Sequence, residues 1–217
     1  MRSFWFVCVI AVLTLSLSAC GGGEKKTAHT PDDAGMSEMV MITSEGLPWP
    51  ISLVGDEAKS NEDAANEYPD PERWLKSYEE WGRTGGHSAS FQPEGEGVSV
   101  VEAEVEYFPS IGGAKSAWSA DRDFMVSEVT LQHLAAAGIT DAKIEEVDAD
   151  KVGDESAAFD VLLTTEAGPQ ETFIVLFRQE GVVALASVRG GEGSATVKDA
   201  IAVAKQLDAR IEDILYR

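Results

Sequence analysis

Cysteine is almost absent from this sequence, and histidine is rare. The two cysteines are Cys8 and Cys20, and the three histidines are His29, His87 and His133. Because both cysteines lie within the first 20 residues, the rest of the chain has no thiol for a disulfide or for nucleophilic catalysis. The histidines are scattered and have no cysteine beside them, which argues against a zinc site of His and Cys ligands. We therefore expect neither a metal nor a cofactor.

Basic residues are also scarce. Lys and Arg together number 17 against 38 Asp and Glu, and the formal net charge is −21. A chain this acidic repels the phosphate backbone, so we expect no nucleic-acid partner. Because the acids are spread along the whole sequence, they are typical of a solvated surface rather than of one binding site.

Motifs of the common catalytic classes are missing as well. No serine lies in a G-x-S-x-G elbow, and the glycines at 190–193 lack the lysine of a phosphate-binding loop. The loop Asp148–Phe159 begins like a calcium-binding EF-hand, but Val152 and Phe159 occupy positions where oxygen ligands are needed. We therefore expect that the chain is not an enzyme. A hydrolase that works through a pair of carboxylates stays open as an alternative, because Asp and Glu are frequent throughout.

The only long hydrophobic run is near the N-terminus, from Phe4 to Ala19, after the basic residue Arg2. Its 16 residues are fewer than the roughly 20 that a helix needs to cross a bilayer. A short cationic start, an apolar core and small residues before a cleavage point are typical of a secretory signal, here residues 1–19. An uncleaved membrane anchor is the alternative.

The end of this leader, Leu17-Ser18-Ala19-Cys20, resembles the lipobox of bacterial lipoproteins. The resemblance implies that a diacylglycerol is attached to the thiol of Cys20 and that the chain is then cut just before this residue. Stable attachment needs two acyl chains or more, and membrane lipid would thus be a partner through the Cys20 anchor. The implied location is the cell membrane, facing the extracellular or periplasmic side.

The remaining chain divides by composition into three parts. Residues 20–35 are rich in glycine and polar residues, which predicts a flexible tether behind Cys20. Residues 36–70 are predicted to be a poorly ordered acidic lead-in, because Gly55–Asp70 is acidic and poor in large apolar side chains. Within it, Met36–Leu53 is mixed in composition and could form a short helix or a strand. From Pro71 onward, apolar residues recur with regular periods, which predicts a single domain at 71–217.

The periods within this domain indicate an α+β fold, an antiparallel sheet of about five to six strands with packed helices. Helices are expected at Pro71–Trp81, at Gly113–Ala137 with a break near its middle, and at the C-terminus, where a long amphipathic helix follows Thr196. Strands are expected at His87–Gln92, Val98–Phe108, Lys143–Val147, Ala157–Thr165, Thr172–Phe177 and Val182–Val188.

One of these strands, Val98–Phe108, alternates apolar residues with Glu102, Glu104 and Glu106. Residues two apart share one face of a strand, so the three glutamates are expected on the same side. A strand with one apolar and one charged face is typical of an antiparallel sheet with that side open to water. We therefore interpret it as half-exposed.

Three segments carry a resemblance to known domains: WGRTGGHSASF at 81–91, VGDESAAF at 152–159 and FRQEGVVALASV at 177–188. They resemble the α+β domains of secreted bacterial lipoproteins of unknown function, the sensor-type extracellular domains of some bacterial kinases and the Mog1/PsbP-like fold. The resemblance implies a fold, and an activity does not follow from a fold.

The aromatic residues supply the one candidate binding site. Trp74, Tyr78 and Trp81 fall on one side of the first predicted helix, which in most proteins means core. With Trp118 they would otherwise line a groove for a small apolar ligand. The sequence therefore favours a non-catalytic, membrane-anchored binding or sensing domain whose partner is such a ligand or a protein. A structural accessory subunit of a membrane complex is a further alternative.

Overall fold

The computed structural model describes residues 30–136, 139, 141–165 and 168–216, so the leader and Cys20 lie outside the described residues. It contains one antiparallel sheet with helices on both faces. The elements in chain order are α1 (Asp33–Val40), β1 (Ile51–Lys59), α2 (Asn61–Ala65), α3 (Pro71–Trp81), β2 (Gly85–Pro93), β3 (Val98–Tyr107), α4 (Ile111–Met125), α5 (Glu128–Ala136), β4 (Asp141–Val147), β5 (Glu155–Thr165), β6 (Gly168–Gln179), β7 (Val182–Gly191) and α6 (Val197–Leu215).

The predicted α+β class is confirmed, and so is the long C-terminal helix, α6. The sheet has seven strands in the order β1-β2-β3-β7-β6-β5-β4, rather than the predicted five or six. Each of the six predicted strands overlaps one of β2 to β7. The additional strand is β1, at one edge of the sheet.

The two faces of the sheet each have their own core. One face is covered by α1 and α6, whose buried side chains include Met39 and Ile211. The other face is covered by α2, α3 and α4, with Tyr78 and Ala117 among the buried residues. Because side chains alternate between the faces of a strand, β3 contributes its apolar residues to the first core and its glutamates to the second.

Order begins earlier than the sequence indicated, because residues 36–70 contain most of α1 and all of β1 and α2. In α1, Met36, Met39 and Val40 are buried at helical spacing. The strand β1 is exposed along almost its whole length, and backbone hydrogen bonds to β2 pair it from Ile51 to Lys59. An edge strand held by its backbone needs no apolar face, which is why composition indicated a poorly ordered segment.

The expected helix at Gly113–Ala137 is divided into α4 and α5, as the sequence suggested, with the break at Val126 and Ser127. The start of α4 lies directly against the end of α3. A Cβ atom added to Gly113 would lie 2.0 Å from the carbonyl oxygen of Trp81, so only glycine permits this approach. The contact fixes the helix layer that covers the acidic face of β3.

Candidate ligand-binding cavity

The acidic face of β3 is covered by helices, in contrast to the half-exposed strand that the sequence predicted. Glu106 is 8% exposed, because α3 and α4 pack over this end of the strand. Glu102, at the other end, remains near solvent and pairs with Arg189 at 3.4 Å. Between them, Glu104 keeps 23% of its side-chain surface. Burying a carboxylate is costly unless partners compensate for its lost hydration, so the partners of these glutamates matter.

The partner of Glu106 is Arg83, which follows α3. Arg83 Nε donates to Glu106 Oε1 at 2.8 Å, and the arginine side chain is 0% exposed. Arg83 Nη1 also donates to Asn61 Oδ1 at 2.9 Å, and its guanidinium lies 5.0 Å from the ring centroid of Tyr78. Arg83 therefore forms a buried ion pair with Glu106 of β3 and also contacts α2 and α3.

The partner of Glu104 is Lys59, at the end of β1. Its Nζ lies 3.0 Å from Glu104 Oε2 and 2.6 Å from Glu67 Oε1. Burial lowers the pKa of Lys59, but the two carboxylates outweigh this effect and the pKa is raised above its ordinary value. The ammonium group therefore stays charged and holds Glu104 and Glu67 together.

A third buried acid, Asp121 of α4, has no basic partner. It accepts a hydrogen bond from the hydroxyl of Tyr68 at 2.8 Å, and no salt bridge reaches it from the described residues. The Tyr68 ring is fixed by stacking on Trp74, with ring centroids 3.7 Å apart. Asp121 is thus held in place by a neutral donor.

These groups surround a cavity of about 180 Å³ between the sheet and the helix layer. Its walls combine carboxyl groups with apolar side chains. The lining residues are Glu67, Tyr68, Tyr78, Glu104, Glu106, Asp121, Phe124, Met125, Leu176, Val183, Ala184 and Leu185.

Burial perturbs the acids of this cavity. It raises the pKa of Glu104 to about 7, although Lys59 opposes the shift. It raises the pKa of Asp121 well above its usual range, with the nearby charge of Glu106 adding to the effect. Burial also raises the pKa of Glu106, and Arg83 offsets this only in part. Acids with such shifts in a cavity are candidate functional groups.

The structure separates the four aromatic residues that the sequence selected. Trp74, Tyr78 and Trp81 form one cluster with ring centroids about 6 Å apart. Trp118 lies apart from it: its indole nitrogen donates to the carbonyl of Leu176 at 3.5 Å. Tyr78 lines the cavity described above, while Trp74 and Trp81 line an outer groove of about 370 Å³ beside α3 and α4.

Sequence reasoning identified Glu104 and Glu106 only as part of a strand face. It missed Asp121, which lines the cavity, and the basic partners Lys59 and Arg83. The alternation in β3 correctly put the glutamates on one side, but a pattern along one strand does not say what covers it. Arg83 lies 23 residues before Glu106, and Lys59 lies 45 residues before Glu104. The available signal was a lone arginine just after a predicted helix with an apolar side, in a chain poor in basic residues.

Among the described residues, no group of three His, Cys, Asp or Glu is arranged to hold a metal ion. In the loop that begins like an EF-hand, three of the acids form ion pairs with basic side chains. Asp154 and Glu155 each pair with Arg178 at 2.9 Å, and Asp150 pairs with Lys205 at 3.2 Å. These contacts explain why the loop carries acids at these positions.

Fold and cavity together define an α+β domain in which helices cover both faces of an antiparallel sheet. The extracellular domain of PknH from Mycobacterium tuberculosis is similar, with a TM-score of 0.56 and 11% identity, covering 86% of this chain and 99% of that one. An uncharacterised protein from Mycobacterium smegmatis gives a TM-score of 0.41 and 12% identity, covering 80% and 92%. No protein-family model and no curated protein matches the sequence. At such identity the likeness to PknH shows the fold alone.

No helix within the described ranges is both long and apolar enough to cross a bilayer.

Proposed function

We propose that this chain is a non-catalytic, extracytoplasmic binding or sensing domain, anchored by lipid at Cys20, that takes a small ligand in the cavity beneath α3 and α4. The observation that carries the proposal is the cavity itself. A concave space with mostly apolar walls and a few fixed polar groups is the usual form of a small-molecule site. The fold is that of an extracellular domain in PknH, which supports the extracytoplasmic location.

The polar groups of the cavity are positioned in advance. Tyr68 is stacked on Trp74 and bonded to Asp121, and Glu106 is fixed by Arg83. Groups held by their own packing lose little freedom when a ligand arrives, which favours binding. This arrangement supports a ligand with a polar end, in addition to the apolar contacts that the sequence suggested.

A carboxylate-based hydrolase is the second candidate function, and one observation favours it. Glu104 has a pKa of about 7 and lies in the same cavity, as a general acid would. Against it, Glu104 is engaged by Lys59 and Glu106 by Arg83, which leaves no free pair of carboxylates for acid and base. A hydrolase would convert a bound ligand over time, whereas a binding domain would retain it.

We expect the full chain, produced in a secreting bacterial host and released with mild detergent, to carry a bound small molecule. Native mass spectrometry should then show a mass above that of the lipidated polypeptide. Leu185→Trp should remove this extra mass, because Leu185 lies opposite Glu104 in the sheet and lines the cavity. The added indole occupies the space that the ligand needs.

Leu131→Trp is the matched control, since Leu131 is exposed on α5. It should keep the extra mass. A wild-type spectrum without added mass, or an equal loss in both variants, would contradict a ligand in this cavity. A bound mass that decreases with time, while a product appears, would favour the hydrolase.

The anchor is tested separately. We expect Cys20→Ala to block lipidation and cleavage before residue 20, so that any chain released from its leader leaves the membrane fraction. Without the thiol no diacylglycerol can be attached, and the apolar run before it is shorter than a bilayer span. Cell fractionation with mass spectrometry of the N-terminus measures the result, and Ser18→Ala, a change between small residues, is the control. Unchanged processing and membrane attachment in Cys20→Ala would overturn the lipid anchor.

A further inference from the structure

The wall of the cavity carries charge of one sign. Its ionisable residues other than tyrosine are Glu67, Glu104, Glu106 and Asp121. The two basic residues of the cluster, Lys59 and Arg83, lie behind this wall and do not line the space. A ligand in the cavity therefore meets four carboxyl groups and, among the described residues, no basic one.

One of these carboxyl groups has an oxygen without a partner. Glu106 is 8% exposed, its Oε1 is bonded to Arg83, and its Oε2 has no hydrogen-bond partner among the described residues. The hydroxyl of Tyr78 lies near the carboxyl group of Glu106 and lowers its pKa, but it is not in hydrogen-bond geometry with Oε2. Buried polar atoms without partners are rare in folded proteins and call for an explanation.

The rest of the wall is apolar and aromatic. Phe124 and Met125 of α4 face Leu176 and Val183 of the sheet across the cavity. Tyr68 and Tyr78 add ring surface, which attracts cations through its negative face. A bare metal ion would leave these apolar groups unused, and it would lack a set of three ligands.

We propose that the ligand of this cavity is a small organic cation, a protonated amine with an apolar body. Its ammonium group would lie between Glu106 and Asp121, where it would supply a donor to the free Oε2 and a positive charge beside an unpaired acid. Its body would lie against Phe124 and Leu176. The inference rests on the proposed function, because it names the ligand of the same cavity.

A cation at this position also competes with protonation of the Asp121 carboxyl group. Burial raises the pKa of Asp121, so a proton competes with the cation for this carboxyl group, and an ammonium group beside it favours release of that proton. Binding should therefore strengthen as pH rises. The pKa of Asp121 is also influenced by groups on the segments packed around it, namely Tyr68, Arg83, Glu104 and Glu106.

The test is a charge series measured by isothermal titration calorimetry on the full chain in detergent, freed of bound ligand by dialysis. The probes are benzylammonium, benzyl alcohol and benzoate, which share one ring and differ in charge. Benzylammonium should bind, and the alcohol and the acid should bind about tenfold more weakly or worse. Its affinity should rise with pH, in the direction that proton release requires.

Asp121→Asn keeps the shape and the oxygen that accepts from Tyr68 but removes the charge. It should weaken benzylammonium about tenfold or more and leave benzyl alcohol unchanged. Asp123→Asn is the matched control, because Asp123 lies on the same helix at an exposed position. It should change neither probe.

The outcomes separate this inference from the proposed function. Equal or tighter binding of benzyl alcohol, abolished by Leu185→Trp, would overturn the cationic ligand and support the cavity as a binding site. Tight Ca²⁺ binding lost in Asp121→Asn would overturn the organic cation in favour of a metal ion. If none of the three probes binds, the inference is wrong, and native mass spectrometry alone decides the proposed function.

Discussion

Replacing Arg83 with methionine is expected to lower the free energy of unfolding by about 3–5 kcal/mol, the usual cost of breaking a buried ion pair from one side. The Arg83 side chain is 0% exposed and lies 2.8 Å from Glu106 Oε1. Methionine fills much of the space but leaves Glu106 without a counter-charge, so the carboxyl must be buried unpaired or take up a proton. Urea denaturation, followed by tryptophan fluorescence and by circular dichroism, measures the change.

The double variant Arg83→Met with Glu106→Gln separates the charge from the packing. Removing the second charge should restore part of the lost stability, because the unpaired carboxylate is then gone. The hydrogen bond from Arg83 to Asn61 stays broken, so restoration is incomplete. Arg73→Met, at an exposed position of α3, should stay within about 0.5 kcal/mol of wild type. A double variant no more stable than the single one would rule out the unpaired charge as the cause.

The position of Arg83 explains why the chain keeps a costly buried ion pair. Its guanidinium donates to Asn61 at the start of α2, to the carbonyl of Lys59 at the end of β1, and to Glu106 in β3. It thereby fastens the β1–α2 junction over the acidic end of β3. We expect that a pair of apolar residues in its place would fill the site without specifying this one arrangement of three elements.

Much of the fold follows from patterns of side chains along the sequence. The strands β2 to β7 all carry apolar residues on at least one face, and α6 has an apolar stripe with Thr196 at its start, so their periods were sufficient. The segment 51–65 was not recognised because β1 is an exposed edge strand and α2 has only five residues. Their stability comes from backbone pairing and from contacts with distant residues, which leave no periodic trace.

The candidate site was predicted less well than the fold, and the reason is physical. The helical spacing of Trp74, Tyr78 and Trp81 correctly placed them in one cluster. It could not show that Tyr68, in the preceding loop, stacks on Trp74 and reaches Asp121. Whether a carboxyl group faces water or a cavity depends on contacts between elements, and these are set by topology rather than by local sequence.

The free energy of unfolding is also expected to fall as pH rises from about 4.5 to about 7, by up to about 3 kcal/mol from Glu104 alone. The pKa of Glu104 is raised from 4.5 to about 7 in the folded protein. Between these values the folded state binds more protons than the unfolded state, so unfolding releases protons and higher pH favours it. Asp121, whose pKa is also raised by burial, acts in the same direction.

Glu104→Gln should remove this contribution, because an amide has no proton to lose in this range. The variant and wild type should have similar stabilities near pH 5, and the variant should be more stable near pH 8 by up to about 3 kcal/mol. Glu57→Gln is the control, since Glu57 is exposed on the neighbouring strand β1. It removes the same charge from a strongly acidic chain, and therefore corrects for general repulsion among surface carboxylates. Parallel stability curves for wild type and Glu104→Gln would show that Glu104 ionises in the cavity at no cost, and would contradict its burial beneath α3 and α4.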